Sequence, residues 1–144
     1  MKTKLFIVAL VICMSACSPT QDVEQSVQDG VFIHISHGTD DPHRVAMALN
    51  MAAIMSEDRD VIVYFDIKGI EVVLQDGPDI SYAQFPGSHN QLRVLADRSV
   101  ILAACPGCLQ AAGKTKEDLR EGITVANKEE FFGFTEGRIL TLDY

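Results

Sequence analysis

Cys105-Pro106-Gly107-Cys108 places two thiols three residues apart, directly after the apolar run 100–104 and before a short segment that ends at Gly113. An apolar run of this length reads as a buried strand and the following segment as a short helix, so both cysteines fall at a strand-to-helix turn. The first turn of a helix carries unpaired backbone N–H groups and a partial positive charge, which favour a sulfur as its thiolate. A thiolate attacks disulfides, accepts sulfur or binds soft metals. The reactive reading makes Cys105 the persulfide carrier or attacking thiolate and Cys108 its resolving partner. The bland reading is a small buried pair or an inert disulfide.

Two other chemistries compete for the same pair. A thioredoxin-like site has its CxxC after an early strand, facing a later cis-proline; here the motif follows a late strand and no proline lies beyond Pro106. Two thiolates also suit copper(I), and with two histidines they would suit tetrahedral zinc. His37 and His43 follow the first strand on the sheet edge where the cysteine turn lies, but their spacing does not establish a ligand set. No metal site is therefore assigned, and no cofactor is implied. The remaining polar residues have plainer readings. His34 lies within a strand and reads as packed, and His89 lies in a first helical turn and reads as exposed. Asp40 and Asp41 read as cap and first-turn charges. Asp66 ends a strand on the edge where such sheets bind ligands, but stands alone. Lys114 and Lys116 read as solvated.

The start of the chain bears on location. Lys2 and Lys4 precede an apolar stretch over 5–14, and Met14-Ser15-Ala16-Cys17 resembles the lipobox of bacterial lipoproteins. Residues 1–16 are expected to be a lipoprotein signal, Cys17 the lipidated residue, and 17–29 a polar flexible tether to the domain over 30–144. That arrangement puts the domain in the bacterial cell envelope, facing the periplasm on a lipid anchor, with Ser18 favouring the outer membrane. Cys13 leaves with the signal, so Cys105 and Cys108 remain as the free thiols. The net charge is −8, and no cluster of lysine or arginine offers a face for nucleic acid.

The elements predicted along the domain alternate. A strand over 31–35 leads to Asp41-Pro42, an N-cap with proline at the first helical position, and a helix to about Met55. That helix is apolar on both faces, so one face must meet another element or another subunit; this alone supports a third reading, an oligomeric binding module without chemistry. A second continuous apolar strand covers 61–65. Residues 70–74 form a short strand or a helical turn, and 75–87 a long loop placed to cover the cysteine site. Ser88 and Gln91 fit a capping box opening a helix to about Arg98. After the cysteine turn come a capped single turn from Thr115, a strand over 123–126, a helix near 128–135 and a closing strand over 138–142. Such alternation indicates a mostly parallel sheet with helices on both faces.

The segment from Cys105 to Gly113, followed by Glu117-Asp118-Leu119-Arg120-Glu121-Gly122 and the strand to Ala126, resembles the DsrE/DsrF-like family, in its YchN-like branch. The strand 61–65 with Asp66 and Gly69 matches that family's first half, and the likeness runs from about Val31 to the C-terminus. The resemblance implies a three-layer α/β fold, a homotrimer or hexamer, and in sulfur-relay members a persulfide on the cysteine matching Cys105, with Cys108 matching the second cysteine. The implied partners are small sulfur species or a thiol-bearing protein.

Overall fold

The computed structural model describes residues 27–144; the signal, Cys17 and most of the expected tether lie outside the described residues. Among the described residues no helix is long and apolar enough to cross a membrane. The elements are β1 (Gly30–Ile35), α1 (Pro42–Met55), β2 (Asp60–Phe65), α2 (Ile70–Val73), α3 (Ser88–Asp97), β3 (Ile101–Ala104), α4 (Pro106–Ala111), β4 (Ile123–Val125), α5 (Lys128–Gly133) and β5 (Ile139–Asp143). All five strands are parallel, in the order β4-β3-β2-β1-β5.

Handedness explains where the helices go. The chain steps from β1 to β2 to β3 in one direction, so right-handed crossovers put α1 and α3 on the same face, where they pack on each other. The return from β4 to β5 runs the other way and puts α5 on the opposite face. There Phe131 meets Phe32 and Tyr64, with ring centroids 5.8 and 5.1 Å apart. The core between the sheet and α1/α3 holds Ile33, Ile35, Leu49, Phe65, Leu95 and Leu102, all essentially without exposure. Each such side chain contributes about 1.5–3 kcal/mol by burial. The three-layer α/β expectation holds, with the second helical layer reduced to the short α5.

Several local expectations meet their test here. Asp41 caps α1 by accepting from the Arg44 amide at 3.1 Å, with Pro42 at the first position. The apolar second face of α1 is covered largely by α3, which leaves Ile54 half exposed. Residues 70–73 are helical, and Leu74 makes an isolated antiparallel bridge to Leu119. The capping box expected at Ser88 and Gln91 is absent, and Gly87 is the N-cap. Ser88 is buried and accepts from the Ile80 amide at 2.9 Å, while Gln91 donates to the Pro86 carbonyl at 2.7 Å. The carboxylate that caps α3 comes from the loop instead: Asp79 accepts from the His89 amide at 2.9 Å. These bonds fasten loop 75–87 to α3. Its other ties run from Gln75 and Gly77 to the 117–120 segment, from Asp76 to Lys114 and from Tyr82 to His43, so its hydrogen bonds, ion pairs and stacking contacts do not reach either cysteine, as a cover for that site would require.

At the C-terminal ends of β1 and β2 the chain is held very close. Asp66 donates its amide to Ile35 O (3.2 Å) and Lys68 to Ser36 O (3.2 Å), and a Cβ on Gly69 would overlap the Ile35 carbonyl. Only glycine lets the turn after β2 close on the end of β1. Gly69→Ala is expected to destabilise the domain by at least about 2 kcal/mol and to lower its melting temperature by several degrees, measured by thermal circular dichroism. An unchanged melting temperature would contradict this packing.

Candidate functional site

Cys105 follows β3 at its C-terminal edge and is itself the N-cap of α4. Its amide donates to the Phe65 carbonyl at 2.8 Å, its carbonyl accepts from Leu109 at 3.0 Å, and its Sγ accepts from the Cys108 amide at 3.3 Å. The sulfur thus occupies the place of a serine or aspartate cap. Cys108 lies one turn on, and its Sγ accepts from the Ile67 amide at 3.2 Å. Both cysteines are free and half-buried, so neither sulfur is sealed in the core.

The two thiols are not equivalent. Burial raises the proton affinity of Cys105, but the Tyr64 hydroxyl, the Cys108 thiol and the amides of Cys108 and Gly107 all favour its anion, and together they hold Cys105 below the ordinary thiol value. Cys108 is pushed up, first by sharing its proton with Cys105 and then by burial, with the Ile67 amide opposing and the Asp66 charge adding. Tyr64 is likewise pushed up, by burial and by its bond to Cys105, and stays a hydrogen-bond donor. Cys105 is thus the more acidic thiol of the pair and Cys108 the less acidic.

Ile67 reaches Cys108 at a conformational cost. Its φ is +46°, the left-handed region, which in a β-branched residue costs about 1–2 kcal/mol. Strained backbone of this kind is concentrated at functional sites. Ile67, whose amide contacts the Cys108 sulfur, is 67% exposed.

His34 is packed, as its place in a strand suggests, and it is also paired with two carboxylates. It is half-buried, with Nδ1 2.9 Å from Asp143 Oδ1 and Nε2 2.9 Å from Asp66 Oδ1, and its ring stacks on Tyr64 at 5.9 Å. Burial lowers its proton affinity, but the two carboxylates outweigh that and raise it. The signal was present in the sequence: His34 and Tyr64 stand one residue before the ends of two apolar strands, and parallel register pairs them, with Asp143 opposite His34 on the other side. His89 differs from expectation. Its Nε2 accepts from Arg120, whose guanidinium also holds the Gln75 and Gly77 carbonyls.

Other candidates stay away from the sulfurs. His37 Nδ1 bonds Asp40 at 3.1 Å and His43 stacks on Tyr82 at 4.3 Å, and among the described residues no group of three or more His, Cys, Asp or Glu side chains is arranged to hold a metal. Asp40 is a turn anchor: the Gly38 amide, with His37 and Lys68, lowers it to about 2 against the cost of burial. Lys114 is engaged by Asp76 at 2.9 Å and Lys116 is exposed.

This architecture matches solved structures. The ychN protein from E. coli superposes with a TM-score of 0.62 over 80% of this chain and 99% of its own, at 16% identity. The chain has the YchN-like fold. MTH1491 from Methanobacterium thermoautotrophicum, a protein of unknown function, shares that fold at TM-score 0.57 and 18% identity, over 80% of this chain and 99% of its own. No family model matches the sequence, and no curated protein matches it at a significant level.

Tyr64→Phe removes the hydroxyl from Cys105 and leaves the ring packing intact. The pH at which Cys105 reaches half-maximal alkylation by iodoacetamide is expected to rise, with an unchanged circular dichroism spectrum. An unmoved profile would remove Tyr64 from the account.

Proposed function

We propose that the protein carries sulfur or exchanges thiol equivalents through Cys105, with Cys108 as the resolving thiol. The observation that supports this most is the asymmetry of the pair: hydrogen-bond donors lower the pKa of one thiol while that of its neighbour is raised, and both residues are only half-buried. The resemblance of the cysteine segment to sulfur-relay proteins, and the YchN-like fold, agree with it.

The chemistry balances with the residues at hand. The Cys105 thiolate attacks the outer sulfur of a persulfide or polysulfide; a new S–S bond forms at Cys105, the donor's S–S bond breaks, and the donor thiolate leaves with the electron pair. Cys105 then bears a persulfide. An acceptor thiolate takes the outer sulfur and regenerates Cys105. Alternatively Cys108, after losing its proton, attacks the Cys105 sulfur and expels hydrosulfide. The outer sulfur is thereby reduced, the pair is oxidised by two electrons to a disulfide, and an external dithiol returns it to the starting state.

The reading includes the tether: an exported domain on a lipidated Cys17 would meet sulfur compounds or a thiol-bearing partner in the envelope. One mass-spectrometric experiment addresses both parts. The reduced protein, isolated from the envelope fraction and treated with polysulfide, is expected to gain a single sulfur atom that dithiothreitol removes, absent in Cys105→Ser. Its N-terminal peptide is expected to begin at an acylated Cys17. No adduct on Cys105, or an adduct that survives Cys105→Ser, would overturn the carrier, and an intact leader with unmodified Cys17 would overturn the tether.

A further inference from the structure

Among the residues touching the sulfurs, Ile67 alone combines strain with an exposed apolar side chain. Its amide is committed to Cys108 Sγ at 3.2 Å. The turn that carries it is fixed on both sides, by Asp66 N to Ile35 O, by Lys68 N to Ser36 O, and by Gly69 packed on the Ile35 carbonyl. If the amide were all that mattered, glycine or asparagine would present it without a Cβ clash at φ +46°. Instead a β-branched side chain holds that conformation while 67% exposed, so what it offers is an apolar surface to solvent beside the turn. The charges nearby are paired among themselves: Asp66 and Asp143 with His34, and Lys68 with Asp40.

We propose that Ile67 is the specificity residue of the cysteine pair. Its side chain forms an apolar lip beside the sulfurs, so that the site takes uncharged sulfur compounds with an apolar group on the reacting sulfur in preference to small anions such as thiosulfate or tetrathionate. This rests on the thiol reading and names its substrate class. With a neutral aromatic disulfide, Cys105 thiolate forms a mixed disulfide and one aryl thiolate leaves. Cys108 then loses its proton and attacks the Cys105 sulfur, the second aryl thiolate leaves, and the pair becomes a disulfide. The aryl group rests on Ile67 during the first step. Tetrathionate reacts at the same sulfur, releasing thiosulfate, but has nothing apolar to place there.

The test compares second-order rates of the reduced protein with dithiodipyridine and with tetrathionate, for the parent, Ile67→Gly and Ile67→Asn. Both replacements tolerate positive φ, so neither is expected to lower the melting temperature. Loss of the side chain is expected to slow dithiodipyridine by roughly tenfold and to leave the tetrathionate rate and iodoacetamide alkylation of Cys105 unchanged. Equal slowing with both reagents, or slowing with neither, would overturn the role of Ile67 while leaving the thiol reading intact. A Cys105 inert to both reagents in the parent would overturn the thiol reading itself.

Discussion

The register of β2 against β3, with Phe65 opposite Ala104, is the constraint on which the cysteine site depends. It sets the end of β2 against the start of the cysteine turn, so that three parts of one strand end reach the two sulfurs. The Phe65 carbonyl holds the Cys105 amide, Tyr64 is near enough to lower the Cys105 pKa, and the Ile67 amide holds the Cys108 sulfur. Because side chains alternate along a strand, a slip of one residue would turn Tyr64 toward α1 and α3 and bring Phe65 out of the core. The buried side chains that prevent the slip are Val63, Phe65, Leu102 and Ala104, none more than 1% exposed. Core packing and site geometry are thus enforced by the same residues.

Within that frame the two sulfurs divide one proton unequally. Donors converge on Cys105 from its own helix turn and from Tyr64, whereas Cys108 has one backbone donor and faces the negative charge of Asp66. Desolvation acts against the anion at both positions, so the hydrogen-bond donors decide which sulfur is the more acidic. His34, clamped between Asp66 and Asp143, bridges β5 to the end of β2 and backs the Tyr64 ring. Its position makes the last strand of the chain part of the site's support.

The strands, α1 with its Asp41 cap, and the cysteine turn were legible in the sequence, because apolar run length, proline placement and the CxxC spacing are local signals. The capping box at Ser88 misled because the carboxylate serving that helix comes from Asp79, nine residues away across the loop. The packing of His34 is legible from its place in a strand, but its two carboxylate partners, Asp66 and Asp143, come from strand pairing and follow only once the parallel register is known. Ile67 carries no sequence signal either: its left-handed backbone follows from the close approach of Gly69 to β1, a tertiary contact. What local chemistry specifies was readable; what parallel pairing brings together was not.

The most direct measurement of the central claim is a pH titration of the reduced protein with ¹³Cβ-labelled cysteine, followed by NMR with each resonance assigned by single substitution. The account predicts that Cys105 titrates below the ordinary thiol value and Cys108 above it. Coincident titration of the two at the value of a free thiol, or the reverse order, would contradict it.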